Sequence, residues 1–267
     1  MSSFKYKDAY INNYYSIVGL LEKEGHLKKY DSFIEDYYYK EKSFIKAEIK
    51  MQRDAFLNLL NKSNKKINDI SLIIGGDLNN QLVASYFSMK EFDISHLGIY
   101  SACASFPESI IIASSFLNNG LDNIVCNISS HNLTAERQFR YPIEYGALKK
   151  HTTTFTTTAA ISTLISKKVG KIKVESATIG KVVDMNMKDS SHVGSVMAPA
   201  AVSVLHDHLT DLKRDVNYYD LILTGDLGCI GHKIFLEYYE KLYGVTINNS
   251  KDAGCELYLK SQDTYSG

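Results

Sequence analysis

The sequence predicts an α/β protein, a largely parallel sheet with helices packed on its faces, built from a duplicated strand–helix unit. Three observations predict it. Short β-branched runs alternate with amphipathic segments of helical length. One strand-plus-turn string occurs twice. The composition is that of a compact globular chain: 267 residues, 45% hydrophobic, with 30 basic residues balancing 30 acidic ones to a formal net charge of +0.

The elements follow in order. Segment 44–61 carries Phe44, Ile45, Ile49, Phe56, Leu57 and Leu60 with Lys and Glu between them, a helical spacing. After a Lys- and Asn-rich loop, Ile70 to Ile74 is a β-branched run ending at Gly75-Gly76-Asp77, the form of a buried strand that stops at a loop. His96 to Tyr100 predicts a second strand leading into Ser101-Ala102-Cys103-Ala104-Ser105-Phe106-Pro107-Glu108. A helix is predicted to begin there, with Pro107 suited to a first position, Glu108 to the positive dipole end, Ile110 to Leu117 as the apolar face and Gly120 as the stop. Asn123 to Ile128 predicts a third strand, and the run Thr152-Thr153-Thr154-Phe155-Thr156-Thr157-Thr158 a fourth with polar edges.

The duplication rests on Leu72-Ile73-Ile74-Gly75-Gly76-Asp77-Leu78 recurring as Leu221-Ile222-Leu223-Thr224-Gly225-Asp226-Leu227. Each copy follows an amphipathic helix and a polar loop, the second helix running from about Pro199 through Val202, Leu205 and Leu209 to Leu212. With only three prolines and no Pro/Gly/Ser-rich linker, nothing marks a flexible boundary.

Several function classes are set aside. No block of like charge suits a nucleic-acid or anionic-membrane coat, and no apolar run approaches a membrane-spanning helix. No secretory leader is read at the N-terminus. The cysteines Cys103, Cys126, Cys229 and Cys255 are widely spaced without a Cys-x-x-Cys pair, so neither a disulfide framework nor a zinc site is expected and a reducing compartment is the default. Glycine-rich dinucleotide and P-loop signatures are absent. His206 and His208, two apart on a helix, face different sides and with His192 suggest no metal site; a solvated helix is expected there. No cofactor is implied.

Two regions hold candidate chemistry. Cys103 follows a strand at the start of a helix, where N–H groups and the dipole stabilise a thiolate; a small buried hydrophobe is the alternative. The densest polar cluster, Ser129-Ser130-His131-Asn132-Leu133-Thr134-Ala135-Glu136-Arg137-Gln138-Phe139-Arg140-Tyr141-Pro142, follows a strand. On a helical turn Arg137 and Arg140 can converge on one carboxylate-bearing ligand, against a structural alternative in which Glu136 pairs with an arginine and His131 is a satisfied buried imidazole. Asp77 and Asp226, at the ends of the repeated strands, complete the candidate ligand-binding set with Cys103, His131, Arg137 and Arg140.

The Ser129–Pro142 string, together with Met197-Ala198-Pro199-Ala200-Ala201 and Asp220-Leu221-Ile222-Leu223-Thr224-Gly225-Asp226-Leu227, resembles the stage V sporulation protein AD family. The likeness runs from about Tyr10 to the last residue and includes Gly25-His26-Leu27, Gly76-Asp77-Leu78, Ala102-Cys103, Ala177-Thr178-Ile179-Gly180 and Asp184. It implies a thiolase-like fold, two βαβαβαββ repeats in α/β/α/β/α layers, with a first repeat over 1–170 and a partial second over 171–267. The family continues past the segment resembling Ser261 to Gly267, so the second repeat is expected to be incomplete here.

The resemblance also implies function. It points to a non-catalytic protein of the forespore or spore, soluble or peripheral to the spore inner membrane. Such a protein binds dipicolinic acid, possibly as its calcium chelate, and supports its uptake with other stage V sporulation membrane proteins. A homodimer is possible, and no nucleic-acid partner is implied. Cys103 matches the nucleophile of thiolases and ketoacyl synthases, so an acyltransferase is the alternative, as is a purely structural subunit of a spore membrane complex. Against catalysis, the second-repeat strand end where related synthases place a histidine reads Thr224-Gly225-Asp226-Leu227.

Overall fold

The structure is a computed structural model and describes residues 2–139, 150–189 and 191–267. In chain order the elements are β1 (Ser3–Lys5), β2 (Tyr10–Val18), α1 (Leu20–Glu24), β3 (Ser32–Phe33), α2 (Phe44–Ser63), β4 (Leu72–Gly76), α3 (Val83–Met89), β5 (His96–Gly98) and α4 (Ser105–Asn118). There follow β6 (Ile124–Ser130), α5 (Asn132–Phe139), β7 (Ala159–Ser166), β8 (Ile172–Lys173), β9 (Ser176–Thr178), α6 (Val193–Leu212), β10 (Ile222–Thr224), α7 (Gly228–Tyr243), β11 (Ser250–Asp252) and α8 (Ala253–Leu257).

The main sheet runs β3-β2-β7-β6-β4-β5, with β8 pairing β2. β4 is parallel to both β5 and β6, as strand–helix alternation predicts, and β7 is antiparallel to its neighbours β6 and β2. Both faces are covered, and alternate residues serve opposite cores. Ile73, Val125 and Leu164 pack under Phe56, Leu59 and Leu60 of α2. Leu72, Ile74, Ile124, Cys126 and Ile165 pack against Ala113 and Leu117 of α4. Tyr6, directly after β1, and Ala177 of β9 close that second core. Each large side chain fully buried this way, Phe56 for instance, contributes on the order of 1.5–3 kcal/mol.

The duplication is visible in three dimensions. α2 and α6 are both 20-residue helices, each ended by a left-handed residue, Asn64 or Lys213. Each is followed by a 3-10 turn, Ile67–Asp69 or Val216–Tyr218, and then by the repeated strand, β4 or β10. The equivalents keep one constant spacing from Phe44/Val193 to Asp77/Asp226. β10 pairs in parallel with β11, as β4 does with β5, and α6 and α7 enclose their own core of Ala198, Val202, Phe235 and Tyr239.

Four expectations are corrected. The threonine run Thr152–Thr158 is not a strand; β7 starts at Ala159. Its backbone is spent elsewhere: Phe155 N–H donates to the Gly267 carbonyl, Thr158 N–H to Glu22, and the Thr156 and Thr157 carbonyls accept from Asn132 and Ser130 side chains. A chain whose polar groups bond to side chains and a terminus has none left for a ladder. Cys229 and Cys255 form a disulfide, contrary to the expectation of unpaired cysteines, because the fold brings the start of α7 against α8. The helix bearing His206 and His208 is not simply solvated, since His208 bonds Thr178 and Tyr219 while His206 stacks on Tyr243. α4 opens at Ser105, two residues before Pro107.

Candidate functional site

A cavity of about 250 Å³ lies where the ends of β4, β6 and β10 meet the start of α4. Strand ends facing helix starts are where open α/β sheets leave room for ligands. Phe106, Phe155, Ile128 and Ile161 form an apolar wall, and Ser129, Ser130, Thr154, Thr156 and Thr157 supply hydroxyl-bearing residues. The cavity takes one wall from each copy of the repeated strand, since Asp77 and Asp226 both line it.

Cys103 lines the cavity on the single 3-10 turn Ala102–Ala104 immediately before α4, and it is exposed. The preceding Ala102 sits at φ 46°, a left-handed conformation that a side chain disfavours. Strain at one residue thus presents the thiol at the open end of a 14-residue helix. Cys126 is the contrast: buried in β6, its thiol is pushed up to about 12 by desolvation, the mark of an inert core cysteine.

The sequence candidates separate on this geometry. Asp77 lines the cavity but is 1% exposed, and its carboxylate accepts the backbone N–H groups of Asn79 (2.7 Å) and Ser85 (2.8 Å), holding the turn into α3. Burial raises its pKa above the ordinary carboxylate value against those hydrogen bonds. Asp226 is half-buried, at φ 60°. The equivalent capping work in the second copy falls to Asp252, which accepts from Leu227, Gly228 and Cys255 N–H groups.

His131 is absent from the cavity lining, which corrects its place among the ligand candidates. It is fully buried, with Nε2–H donating to the Tyr37 carbonyl (2.9 Å) and Nδ1 accepting the Leu133 N–H (3.2 Å). Its ring stacks on Phe44, and burial lowers its pKa, keeping it neutral. The satisfied-imidazole alternative describes it. Arg137 is carried by α5, directly after the strand whose end lines the cavity, with its side chain outside the described residues; Arg140 lies outside them altogether. Among the described lining residues none is Lys, Arg or His.

Sequence reading missed two buried carboxylates next to this site. Glu48 on α2 is fully buried and accepts from Ser129 Oγ (3.0 Å), Asn79 Nδ2 (2.8 Å) and Thr134 Oγ1 (2.8 Å). Desolvation first, and the Asp77 charge as well, lift it to about 7 against those hydrogen bonds. Glu22 holds Thr158 at the far end of the Thr154–Thr157 wall. The available signal for Glu48 was helical register: it shares the buried face of α2 with Ala47, Met51, Gln52 and Ala55.

The fold, with Cys103 on the turn before α4, is thiolase-like. The chain aligns with OleA of Xanthomonas campestris bound to cerulenin at a TM-score of 0.64 and 13% identity, over 95% of this chain and 84% of that one. A 3-oxoacyl-(acyl-carrier protein) synthase of Burkholderia xenovorans aligns at 0.55 and 14%, over 93% and 80%. More specifically, residues 2–267 match stage V sporulation protein AD, and this chain belongs to that family. The Bacillus subtilis protein of that name is 36% identical over 260 residues, covering 97% of this chain and 77% of the relative. Among the described residues no helix is long and apolar enough to cross a membrane.

Proposed function

We propose that the Cys103 cavity binds dipicolinic acid, free or as its calcium chelate, and that the protein serves uptake of this ligand into the developing spore beside other stage V sporulation membrane proteins. The observation that carries this reading is the cavity wall, in which Phe106 and Phe155 stand with the hydroxyl residues Ser129, Ser130, Thr154, Thr156 and Thr157. Flat apolar surface suits a pyridine ring, and hydroxyls with the N–H groups at the start of α4 suit carboxylates. Family membership supports the same reading. Arg137 and Arg140 are its candidate carboxylate partners, as forked donors matched to planar anions. Calorimetric titration of the folded chain with dipicolinate, with benzoate as monocarboxylate control, tests it. Selective heat that weakens in both Arg137→Ala and Arg140→Ala is expected; no heat overturns the reading.

A second reading follows from the exposed Cys103 thiol: acyl transfer, with Cys103 accepting an acyl group from a thioester and releasing its thiol. Acylation of Cys103 by an acyl-CoA, read by mass spectrometry and lost in Cys103→Ser, is its test. Absence of any adduct retires it.

A further inference from the structure

A basic pole lies at the end of the main sheet opposite the Cys103 cavity. The cavity takes residues 128–130 from the end of β6. A second cleft, of about 430 Å³, takes Asn123 from before the start of β6 and Leu164 and Ser166 from the end of its antiparallel neighbour β7. Lys62, Lys65, Lys168 and Lys171 line that cleft, and the exposed Lys66 and Lys167 flank them in the chain. Read as a line, the sequence carries no block of like charge; the fold makes one by setting the end of α2 beside the loop between β7 and β8. Three carboxylates stand nearby. Asp31 pairs with Lys62 at 2.5 Å, while Asp69 and Asp122 accept the backbone N–H groups of Lys66 and Lys167. Among the described residues, Lys65, Lys66, Lys167, Lys168 and Lys171 form no ion pair.

The loop that carries much of this charge is pinned to the sheet. It passes over the start of β2, from β7 on one side to β8 on the other. Asn12 of β2 holds it twice, its Nδ2 donating to the Lys168 carbonyl (2.8 Å) and its Oδ1 accepting the Ser166 hydroxyl (2.6 Å). Lys168 N–H donates to Ser166 Oγ (3.1 Å). At Gly170 the loop runs so close to β2 that a Cβ would meet Asn12 Nδ2 at 2.9 Å and the Ile11 carbonyl at 3.0 Å. With its backbone committed to the sheet, the string Lys167-Lys168-Val169-Gly170-Lys171-Ile172 turns its side chains outward. Val169 is 75% exposed and Ile172 is 50% exposed, each next to lysines.

We propose that this pole is a docking surface for an anionic lipid bilayer. Charge complementarity sets the sign of the lipid: the whole chain is formally neutral, so attraction to an anionic surface comes from turning this pole towards it. The outward Val169 and Ile172 select a bilayer over a nucleic acid, because a phosphate backbone offers no apolar layer to receive them and the headgroup boundary does. Lysine suits the same partner. Its flexible stem lies along apolar surface while the ammonium reaches the phosphates, and the cleft holds none of the forked arginines that read single anions. Docked this way, the protein holds the Cys103 cavity back from the lipid by the length of the seven-residue β6, about 20 Å. The pole is separate from the cavity, and the proposal does not rest on the dipicolinate reading.

The test is co-sedimentation of the chain with vesicles of phosphatidylglycerol and phosphatidylcholine in equal parts, against vesicles of phosphatidylcholine alone. Retention by the anionic vesicles only is expected, at about 0.1 M salt, with release as salt rises to about 0.5 M. Each lysine neutralised should weaken partitioning about fivefold, so Lys168→Gln/Lys171→Gln should lose more than about tenfold. Val169→Ser/Ile172→Ser should weaken it with the charge unchanged. All four positions are exposed, so urea midpoints should match the parent and a loss of retention reports the surface. No retention, equal retention by both vesicle types, or retention indifferent to the lysine pair overturns the proposal. Retention by a DNA duplex without retention by vesicles overturns it as well. Dipicolinate heat should be the same in the parent and the lysine pair, so the two readings fail separately.

Discussion

Tyr258 donates its hydroxyl to Oε1 of Glu22 at 2.6 Å, joining residues 236 positions apart. The same carboxylate oxygen accepts the Thr158 N–H at 3.0 Å, at the end of the cavity-lining threonine run, so one buried group ties α1, the residue after α8 and the cavity wall. Oε2 of Glu22 is buried without a hydrogen-bond partner among the described residues.

Removing the tyrosine hydroxyl leaves Glu22 with one donor fewer in a dry site. Tyr258→Phe is expected to lower stability by about 1–3 kcal/mol, measured by urea unfolding. Glu22→Gln is expected to behave differently. Burial raises the Glu22 pKa, so its favourable contribution is present below the unfolded value and fades as pH rises through the folded one. At pH 8 the amide variant should therefore match or exceed the unmodified chain, and a loss larger than that of Tyr258→Phe would contradict this account.

Glu48 gives the pH dependence a defined window. Its folded pKa of about 7 lies above the ordinary 4.5, so the stability linked to its proton is complete below 4.5 and is lost as pH rises towards 7. The full span is roughly 3 kcal/mol at 1.36 kcal/mol per pKa unit. Thermal midpoints of the unliganded chain should fall between pH 5 and pH 7.5, and Glu48→Gln should flatten the curve over that interval.

The helix pair α6–α7 is held at glycine contact. A Cβ placed on Gly231 meets the Gly194 Cα at 2.6 Å, and one on Gly194 meets the Leu227 carbonyl at 2.7 Å. Backbone cannot yield as a flexible side chain does, so Gly231→Ala should cost about 1–3 kcal/mol by overpacking. The displaced start of α7 should also weaken ligand binding through Asp226, two residues before the helix. A variant as stable as the parent would show that the helices separate freely.

The disulfide closes a loop between positions 26 apart in sequence, from the start of α7 to α8. Restricting the unfolded chain in this way is worth roughly 3 kcal/mol. Denaturant midpoints with and without a reductant such as dithiothreitol should differ accordingly, and the paired variant Cys229→Ser/Cys255→Ser should be insensitive to it.

Much of the molecule was determined by the sequence alone. The 3.6-residue period of 44–61, the β-branched runs before Gly-Asp-Leu and the repeated string were enough to place α2, β4, α4, β6 and the two-copy plan, because burial on one stripe or both faces leaves a local periodic trace. The position of Cys103 between a strand and a helix is local in the same sense. What lay outside local reach were the groups whose environment is assembled from afar. Glu48 reads as one more helix charge until Asn79, Ser129 and Thr134 converge on it. The threonine run reads as a strand until Gly267, Asn132 and Glu22 claim its backbone. His131 and the Cys229–Cys255 pair belong to the same class. A hydrogen bond or disulfide between distant positions leaves no periodic signal, so only the folded chain decides which polar residues are spent on the structure and which face the cavity.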